Sequence, residues 1–289
     1  LKRGKRKAHD REVLTDYTGQ LVQHDSSHHL WAPAAAEKWY LITSLDDYSR
    51  MILYADLLKQ ETSWAHIASL QSVFLKYGLP YSYYVDCHSI FRFVQGRDSL
   101  WREHKFITDE TTPQWKRVLD DCGVKVTYAL SPQAKGKIER PYQWLQDRIV
   151  RTCVRHNTTD IRQARIILGQ EVQRYNYRQV HSTTQEVPFF RFQRALKEKI
   201  SLFREFAVKQ PFKSVKDIFS LRTERVVDPY RRISLKKLAL TLNHVSPGNT
   251  VEIRVYHMEN GMSELRFWNG DCLADIKQVK TTDLGGVQF

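Results

Sequence analysis

The order of strand-like and helix-like segments constrains the fold of this chain more than any other feature. Three short apolar runs, at residues 21–25, 39–45 and 51–58, follow one another closely, which is typical of an antiparallel meander. Apolar residues then recur at helical spacing between 64 and 77, and a fourth strand-like run follows at 81–85. The sequence therefore begins with three antiparallel strands and then switches to helices alternating with strands.

This alternation continues through the middle of the chain. The pattern predicts a short helix at 115–122, a fifth strand at 124–130, and long helices at about 137–156 and 161–177. Three antiparallel strands followed by alternating helices and strands describe an α/β fold. We therefore expect a mixed five-stranded sheet flanked by helices.

The chain changes character after Pro188. It is basic and irregularly helical as far as about Leu221, and short strand-like runs separated by Pro-Gly and Asn-Gly turns then follow. Six short strands in roughly 60 residues are typical of a small β-barrel. These runs lie at 226–227, 233–235, 238–242, 250–256, 264–268 and 272–276.

The charge of the chain favours a polyanionic partner. Lys and Arg total 45 against 32 Asp and Glu, a formal net charge of +13. Cations that neutralise phosphates release counterions, so a surplus of this size favours nucleic acid. A soluble basic protein without such a partner is the alternative that charge alone leaves open.

The cysteines and the hydropathy of the chain indicate its cellular compartment. Cys87, Cys122, Cys153 and Cys272 lie far apart with no CxxC pair, so neither a zinc site nor a disulfide framework is indicated. We expect a reducing, cytoplasmic compartment. No run of about 18 apolar residues exists, so no membrane partner is expected. The chain opens on Leu1 and a basic stretch instead of Met, and we expect further sequence upstream.

Three acids stand where strands end or a helix begins. The runs at 21–25 and 81–85 end on or lead into Asp25 and Asp86, and Glu139 opens a long helix after a glycine-containing loop. Sheet edges where strands end and helices start are where α/β folds build sites. Three converging carboxylates would hold a pair of hard cations such as Mg²⁺, which support in-line phosphoryl transfer.

Periodicity alone does not select these acids from the 32 present. On the predicted helix at 137–156, a buried stripe is formed by Ile138, Tyr142, Leu145 and Ile149. Glu139 lies on the neighbouring, largely polar face, as a metal ligand beside the core would. An ordinary solvated helix face shows the same pattern.

Four blocks resemble the integrase core of bacterial insertion-sequence transposases, in the DDE group that includes retroviral integrases. The SPQAKGKIER block is the most specific of them, and the blocks occur in the order found in that family. The resemblance covers about residues 19–195. The blocks are LVQHDSSHHLW (21–31), LDDYSR (45–50), SPQAKGKIER (131–140), and YNYR (175–178) followed by HST (181–183) and Pro188.

The resemblance implies an RNase H-like fold with Asp25, Asp86 and Glu139 as the catalytic and metal-binding triad. It implies a polynucleotidyl transferase with two Mg²⁺ ions, for which Mn²⁺ would substitute, that cleaves transposon ends and transfers the strands into target DNA. Its partners would be those DNAs and further copies of itself assembled on them, in bacterial cytoplasm and nucleoid. The domains would be a basic arm at 1–18, the catalytic core at 19–195, a basic helical linker at 196–222 and a β-barrel at 223–289.

The neighbourhood of Asp86 departs from the common family pattern. Many members carry Asp-Asn-Gly at this point, whereas here Cys87 and His88 follow the acid. A subgroup with an Asp-x-His-Ser-x-Phe-Arg segment fits better. The interval from Asp86 to Glu139 is also longer than is typical of retroviral integrases, and we assign an insertion to about 91–112.

Basic and amide side chains around Glu139 are candidate DNA contacts, because phosphate contacts position a protein on its duplex. Helix solubility is the alternative explanation for them. They are Lys135, Lys137, Arg140, Gln143 and Arg148.

One pair of adjacent acids, Asp46 and Asp47, also follows a strand. We interpret it as a turn with Arg50 and not as part of the site.

Two other functions remain possible on the sequence alone. The same triad would also serve an RNase H-like nuclease or resolvase without strand transfer, and a domesticated, non-catalytic DNA-binding protein is a further alternative. End-recognition modules of the helix-turn-helix type would precede Leu1.

Overall fold

A computed structural model describes most of the chain, and its residues group into two compact units that are described separately below. The description covers residues 15–85, 113–128, 136–235 and 238–285, with the backbone only at 136–141. Asp86, Lys135 and the predicted insertion at 91–112 lie outside it. The first unit is formed by Leu1–Lys59, Pro80–Cys87 and Val126–Phe203, and the second by Gln60–Leu79, His88–Lys125 and Arg204–Phe289.

A mixed five-stranded sheet forms the centre of the first unit. Its order is β3-β2-β1-β4-β5; β1, β2 and β3 are antiparallel neighbours, and β4 pairs with β1 in parallel. This is the strand order of an RNase H-like fold, so the predicted fold class is confirmed. The strands are β1 Leu21–His29, β2 Trp39–Asp46, β3 Ile52–Leu58, β4 Ser82–Val85 and β5 Lys125–Tyr128.

Three helices follow the sheet in this unit: α3 Gly136–Arg155, α4 Ile161–Arg178 and α5 Pro188–Lys197. The sheet face that carries Trp39, Leu41 and Leu45 shares one apolar core with buried residues of α3 and α4. Leu145 and Ile149 of the predicted helical stripe belong to that core, as does Tyr142. The stripe is therefore confirmed for its described side chains.

The end of α4 is fastened to the edge strand β3 by one amide. Asn176 is buried, its Oδ1 accepts from the Ile52 N–H at 2.9 Å, and its Nδ2 donates to the Ile52 carbonyl at 2.9 Å. An amide side chain has the donor and acceptor of a peptide group, so Asn176 pairs with this residue as a neighbouring strand would. This contact explains the asparagine in the YNYR block.

The described part of the second unit contains three further helices and the β-rich end of the chain. Helix α1 Ser63–Tyr77 begins at Thr62, whose side chain accepts from the Ala65 N–H at 3.2 Å, and ends at Gly78. At φ 92°, a Cβ on Gly78 would lie 2.4 Å from the Arg204 carbonyl oxygen, so only glycine fits. The other helices are α2 Gln114–Asp121 and the single turn α6 Val215–Ile218.

Within its described residues, this unit also contains six strands, in two antiparallel sheets. The larger has the order β11-β10-β9-β6, and β7 pairs with β8. The all-β ending is confirmed, while its closure into a barrel and the predicted domain boundaries stay predictions. The strands are β6 Leu221–Val226, β7 Arg232–Leu235, β8 Leu238–Thr241, β9 Thr250–His257, β10 Met262–Asn269 and β11 Cys272–Lys280.

A buried carboxylate organises the larger sheet of the second unit. Asp217 is fully buried and accepts from Arg266 Nε at 2.5 Å and from the Trp268 indole N–H at 3.1 Å. A buried charge needs such partners to offset its lost hydration.

Within the described residues, no helix is long and apolar enough to cross a membrane.

Candidate active site on strand β1 and helix α3

Strand β1, at the centre of the first sheet, carries Asp25. The sequence predicted that this strand ends at Asp25, which is wrong: β1 continues to His29 because residues 22–29 pair continuously with β2. Asp25 is half-buried and lies opposite Thr43 of β2. The described parallel pairing with β4 ends earlier, at Gln23 opposite Tyr84.

Helix α3 is attached to the sheet at this residue. The Tyr142 hydroxyl donates to the Asp25 carbonyl oxygen at 2.6 Å and accepts from the Thr43 hydroxyl at 2.8 Å. Tyr142 and Thr43 are both buried, so water does not compete for these bonds. The contact fixes the second turn of α3 directly over Asp25 and its partner on β2.

A second contact lies one helical turn further along α3. The Gln146 side-chain amide and His29 Nε2 are 2.9 Å apart. Burial, and then the charge of Lys38, lowers the pKa of His29, which favours the neutral ring that can accept a hydrogen bond from this amide. Helix α3 therefore follows β1 from Asp25 towards His29.

Glu139 belongs to the first turns of α3. Its backbone is helical, while its side chain lies outside the description. Glu139 precedes Tyr142 by three residues, so its backbone lies about one turn nearer the start of the helix. Asp86 follows Val85, the last residue of β4, and lies outside the described residues. The structure thus contains Asp25 and the backbone of Glu139 from the predicted triad.

The predicted DNA-contact residues are described only in part. Gln143 is exposed, and Arg148 is half-buried with its guanidinium carbon 5.7 Å from the centre of the Trp144 ring. Trp144 meets Tyr175 of α4 edge-on at 5.2 Å, so it packs against the core. Lys137 and Arg140 are described by their helical backbone alone, and Lys135 is outside the description.

The rival acids Asp46 and Asp47 hold the turn after β2. Asp46 is buried and accepts from the Gly19 N–H, the Thr18 hydroxyl and the Ser49 hydroxyl. Burial raises the pKa of Asp46, and these hydrogen bonds oppose that effect. Asp47 pairs with Arg50 at 2.9 Å. The predicted turn with Arg50 is therefore confirmed.

Acids of the second unit are also occupied by structural contacts. Asp120 pairs with Lys116 at 2.7 Å on the surface of α2, and Asp121 pairs with Arg222 at 2.5 Å. Among the described residues, no group of three or more His, Cys, Asp or Glu side chains is placed to hold a metal ion.

Sequence reasoning missed the residues that position the site. Thr43 and the hydroxyl of Tyr142 join β1, β2 and α3, and Asn176 joins α4 to β3. The only local signal was a phenol within an otherwise apolar helical stripe, since a buried Tyr hydroxyl usually finds a partner. Which partner it finds depends on the fold.

Comparison with known proteins finds transposases among the proteins that this chain resembles. Over 172 residues, 60% of the chain, it is 26% identical to a Sinorhizobium fredii protein named as a transposase, y4bF. Over 224 residues, 77% of the chain, it is 28% identical to the transposase for insertion sequence IS1202 of Streptococcus pneumoniae. The chain resembles insertion-sequence transposases. It spans 36% and 42% of the lengths of these two relatives, and no protein-family profile matches it.

The similar solved structures include a retroviral integrase and a retroviral intasome. The HTLV-2 integrase catalytic core domain in complex with magnesium aligns at a TM-score of 0.44 and 14% identity, over 62% of this chain and 98% of that one. A chain of the simian T-cell lymphotropic virus intasome aligns at 0.48 and 14%, over 92% and 80%. We assign the fold from the strand order of the sheet and not from these alignments.

Proposed function

We propose that this chain is the catalytic part of a DDE transposase, which cleaves DNA at transposon ends and joins the ends to target DNA. The observation that carries the proposal is the Tyr142 hydroxyl bond to the Asp25 carbonyl, at 2.6 Å. It holds the helix that bears Glu139 against the strand that bears Asp25. In this proposal, two of the three acids thereby come to one region of the sheet.

The pairing of β1 with β4 supports the choice of Asp86 as the third acid. Leu21 lies opposite Ser82 and Gln23 opposite Tyr84 in a parallel register. Continuing the same offset along both strands would set Asp86 beside Asp25. In this proposal, the sheet itself supplies the two aspartates and α3 supplies the glutamate.

The proposed donor set suits hard divalent cations. Three carboxylates offer the oxygen ligands that Mg²⁺ prefers, and Mn²⁺ accepts the same ligands. Asp25, Asp86 and Glu139 would hold two such ions, which when bound activate the attacking oxygen and stabilise the leaving one. The Tyr142 hydroxyl holds the backbone of Asp25 and helix α3 together, and in this proposal it sets their relative position before DNA binds.

The proposed reaction has two steps at one site. Water attacks a phosphorus atom at the transposon end, the bond to the 3′ oxygen breaks, and a 3′-hydroxyl is left. That hydroxyl then attacks a target phosphodiester, which joins the strands and releases a new 3′-hydroxyl. Neither step needs a covalent bond to the protein, so no nucleophilic side chain is required.

Basic residues would hold the DNA for both steps. The net charge of +13 favours phosphate binding, and Lys135, Lys137, Arg140, Gln143 and Arg148 are the contacts that we propose on α3 and the loop before it. We further propose that copies of the protein assemble on the transposon ends, in the cytoplasm of a bacterium.

The test is a strand-joining reaction with purified protein, labelled transposon ends, supercoiled plasmid and Mg²⁺ or Mn²⁺. We expect joined products that disappear with Asp25→Asn, Asp86→Asn or Glu139→Gln and with a chelator. Asp120→Asn, which changes an exposed acid on α2, is the matched control and should retain joining. Joining that survives the three substitutions would refute the site, and cleavage without joining would identify a nuclease instead.

A further inference from the structure

The exposed side of helix α4 carries cations and amides without acids. The helix contains four arginines and one acid, Glu171, which is buried. Most surface helices mix charges of both signs, because opposite charges at helical spacing stabilise each other. We call the exposed side the outer face of α4, and it includes the apolar side chains of Ile166 and Tyr177. Its polar residues are Arg162, Gln163, Arg165, Gln170, Gln173, Arg174 and Arg178.

Three of the four arginines on this helix are available for a partner. Arg165 pairs with Asp56 at 3.0 Å and is occupied. Within the part of the chain that the structure describes, no carboxylate forms an ion pair with Arg162, Arg174 or Arg178. The nearby Asp160 side chain accepts instead from the backbone N–H groups at the start of α4. Among the described residues, the positive charge of Arg162, Arg174 and Arg178 is therefore not compensated.

Gly169 lies half-way along α4, on the same side of the helix as Arg162. It is exposed, and a Cβ built on it would meet nothing within 4 Å. Glycine inside a helix is less favourable than alanine, because it costs more backbone entropy on folding. The described part of the chain gives no reason for that cost. A glycine at such a place lets another molecule approach the helix backbone closely.

From these observations we infer that the outer face of α4 binds the sugar-phosphate backbone of DNA. Arginine and glutamine donate hydrogen bonds to phosphate, and Gly169 allows the strand to lie close to the helix. The inference rests on the proposed function only in taking DNA as the polymer bound. A second copy of the same face is disfavoured, because it would oppose arginine to arginine with no carboxylate between them.

This surface is separate from the candidate active site. Helix α4 lies along the edge strand β3, to which Asn176 and Arg165 bind it. Strand β2 lies between β3 and the β1 strand that carries Asp25. The outer face of α4 would therefore hold a stretch of duplex away from the bond that is cut.

The test measures binding of a short duplex of unrelated sequence by fluorescence anisotropy over a range of salt concentrations. We expect Arg162→Gln/Arg174→Gln to weaken binding roughly tenfold or more and to lower the salt slope by about 2, one for each lost phosphate contact. Lys59→Gln/Lys76→Gln removes the same charge from other exposed positions and should change the slope little. Arg174→Lys should keep the slope.

Gly169→Ala gives an independent result, because its two effects oppose each other. The substitution should raise the thermal midpoint, since alanine is the better helix former, and weaken DNA binding severalfold. Gly169→Glu should weaken binding further while remaining folded.

Three outcomes would overturn the inference. If the arginine pair and its control behave alike while the wild type binds DNA, the outer face is not a DNA contact, and the proposed function stands. If the variants instead change the sedimentation of the free protein, the face joins two copies. If the wild type binds no duplex at all, the inference and the proposed function both fail.

Discussion

Replacing Tyr142 with phenylalanine removes one hydroxyl from the junction of β1, β2 and α3 and leaves the ring in place. The Thr43 hydroxyl, on a residue only 4% exposed, then loses its acceptor at 2.8 Å. The Asp25 carbonyl loses the donor at 2.6 Å. No cavity larger than one oxygen atom is made, so the effect isolates these two hydrogen bonds.

The expected loss of stability follows from the buried threonine. A buried hydrogen-bonding group left without a partner costs about 1–3 kcal/mol. For units of this size, each kcal/mol lowers the thermal midpoint by roughly 2–4 °C, so a shift of roughly 2–12 °C is expected. Adding Thr43→Val removes the stranded donor as well, and the double variant should be more stable than the sum of the single losses predicts.

The strand-joining rate distinguishes positioning from general stability. Measured well below the midpoint, Tyr142→Phe should lower the rate at saturating DNA at least about tenfold, because small displacements of reacting groups are costly. DNA affinity should change little. A variant that loses stability but joins at the wild-type rate would refute the positioning role of Tyr142, and one that loses neither would refute the hydrogen-bond geometry.

Two further predictions concern parts of the fold away from this junction. Asn176→Ala should lower the free energy of unfolding by roughly 2–4 kcal/mol in urea titrations, because both backbone groups of Ile52 lose their amide partner; a loss no larger than that of exposed Gln173→Ala would contradict this. Burial lowers the pKa of His257 from 6.5, so the folded protein binds that proton less readily than the unfolded chain. The stability that His257 contributes should be full above pH 6.5 and fall as the pH drops below it, and His257→Asn should flatten this dependence in thermal midpoints measured across that range.

Periodic elements were predictable from the sequence to within a residue or two. Helix α4 was expected at 161–177 and spans Ile161–Arg178, and β2 was expected at 39–45 and spans Trp39–Asp46. These segments bury one face against the common core, so their apolar spacing contains the necessary information.

Segments whose partners are distant in sequence were not predictable in this way. The run from Ser26 to His29 is polar, and it is a strand because β2 pairs with it residue by residue. Strand β6 begins at Leu221, where an irregular helical segment was expected. Its second residue, Arg222, is buried because Asp121 neutralises it at 2.5 Å, a contact that no local pattern reveals.

Some residues of the candidate site could be selected from the sequence, and others could not. Asp25 and Glu139 were selected through the family resemblance, because nothing in their periodicity separates them from other acids. Thr43 and the Tyr142 hydroxyl could not be selected at all, since their role exists only once α3 crosses β1 and β2.

The central claim is that Asp25, Asp86 and Glu139 act as one unit. Its most direct test is the single-turnover rate of strand joining in Asp25→Asn, Asp86→Asn, Glu139→Gln and the triple variant. Groups that act together are strongly non-additive, so each single variant should lose about as much rate as the triple variant does. Losses that multiply from single to triple, or one single variant that joins DNA at the wild-type rate, would contradict the claim.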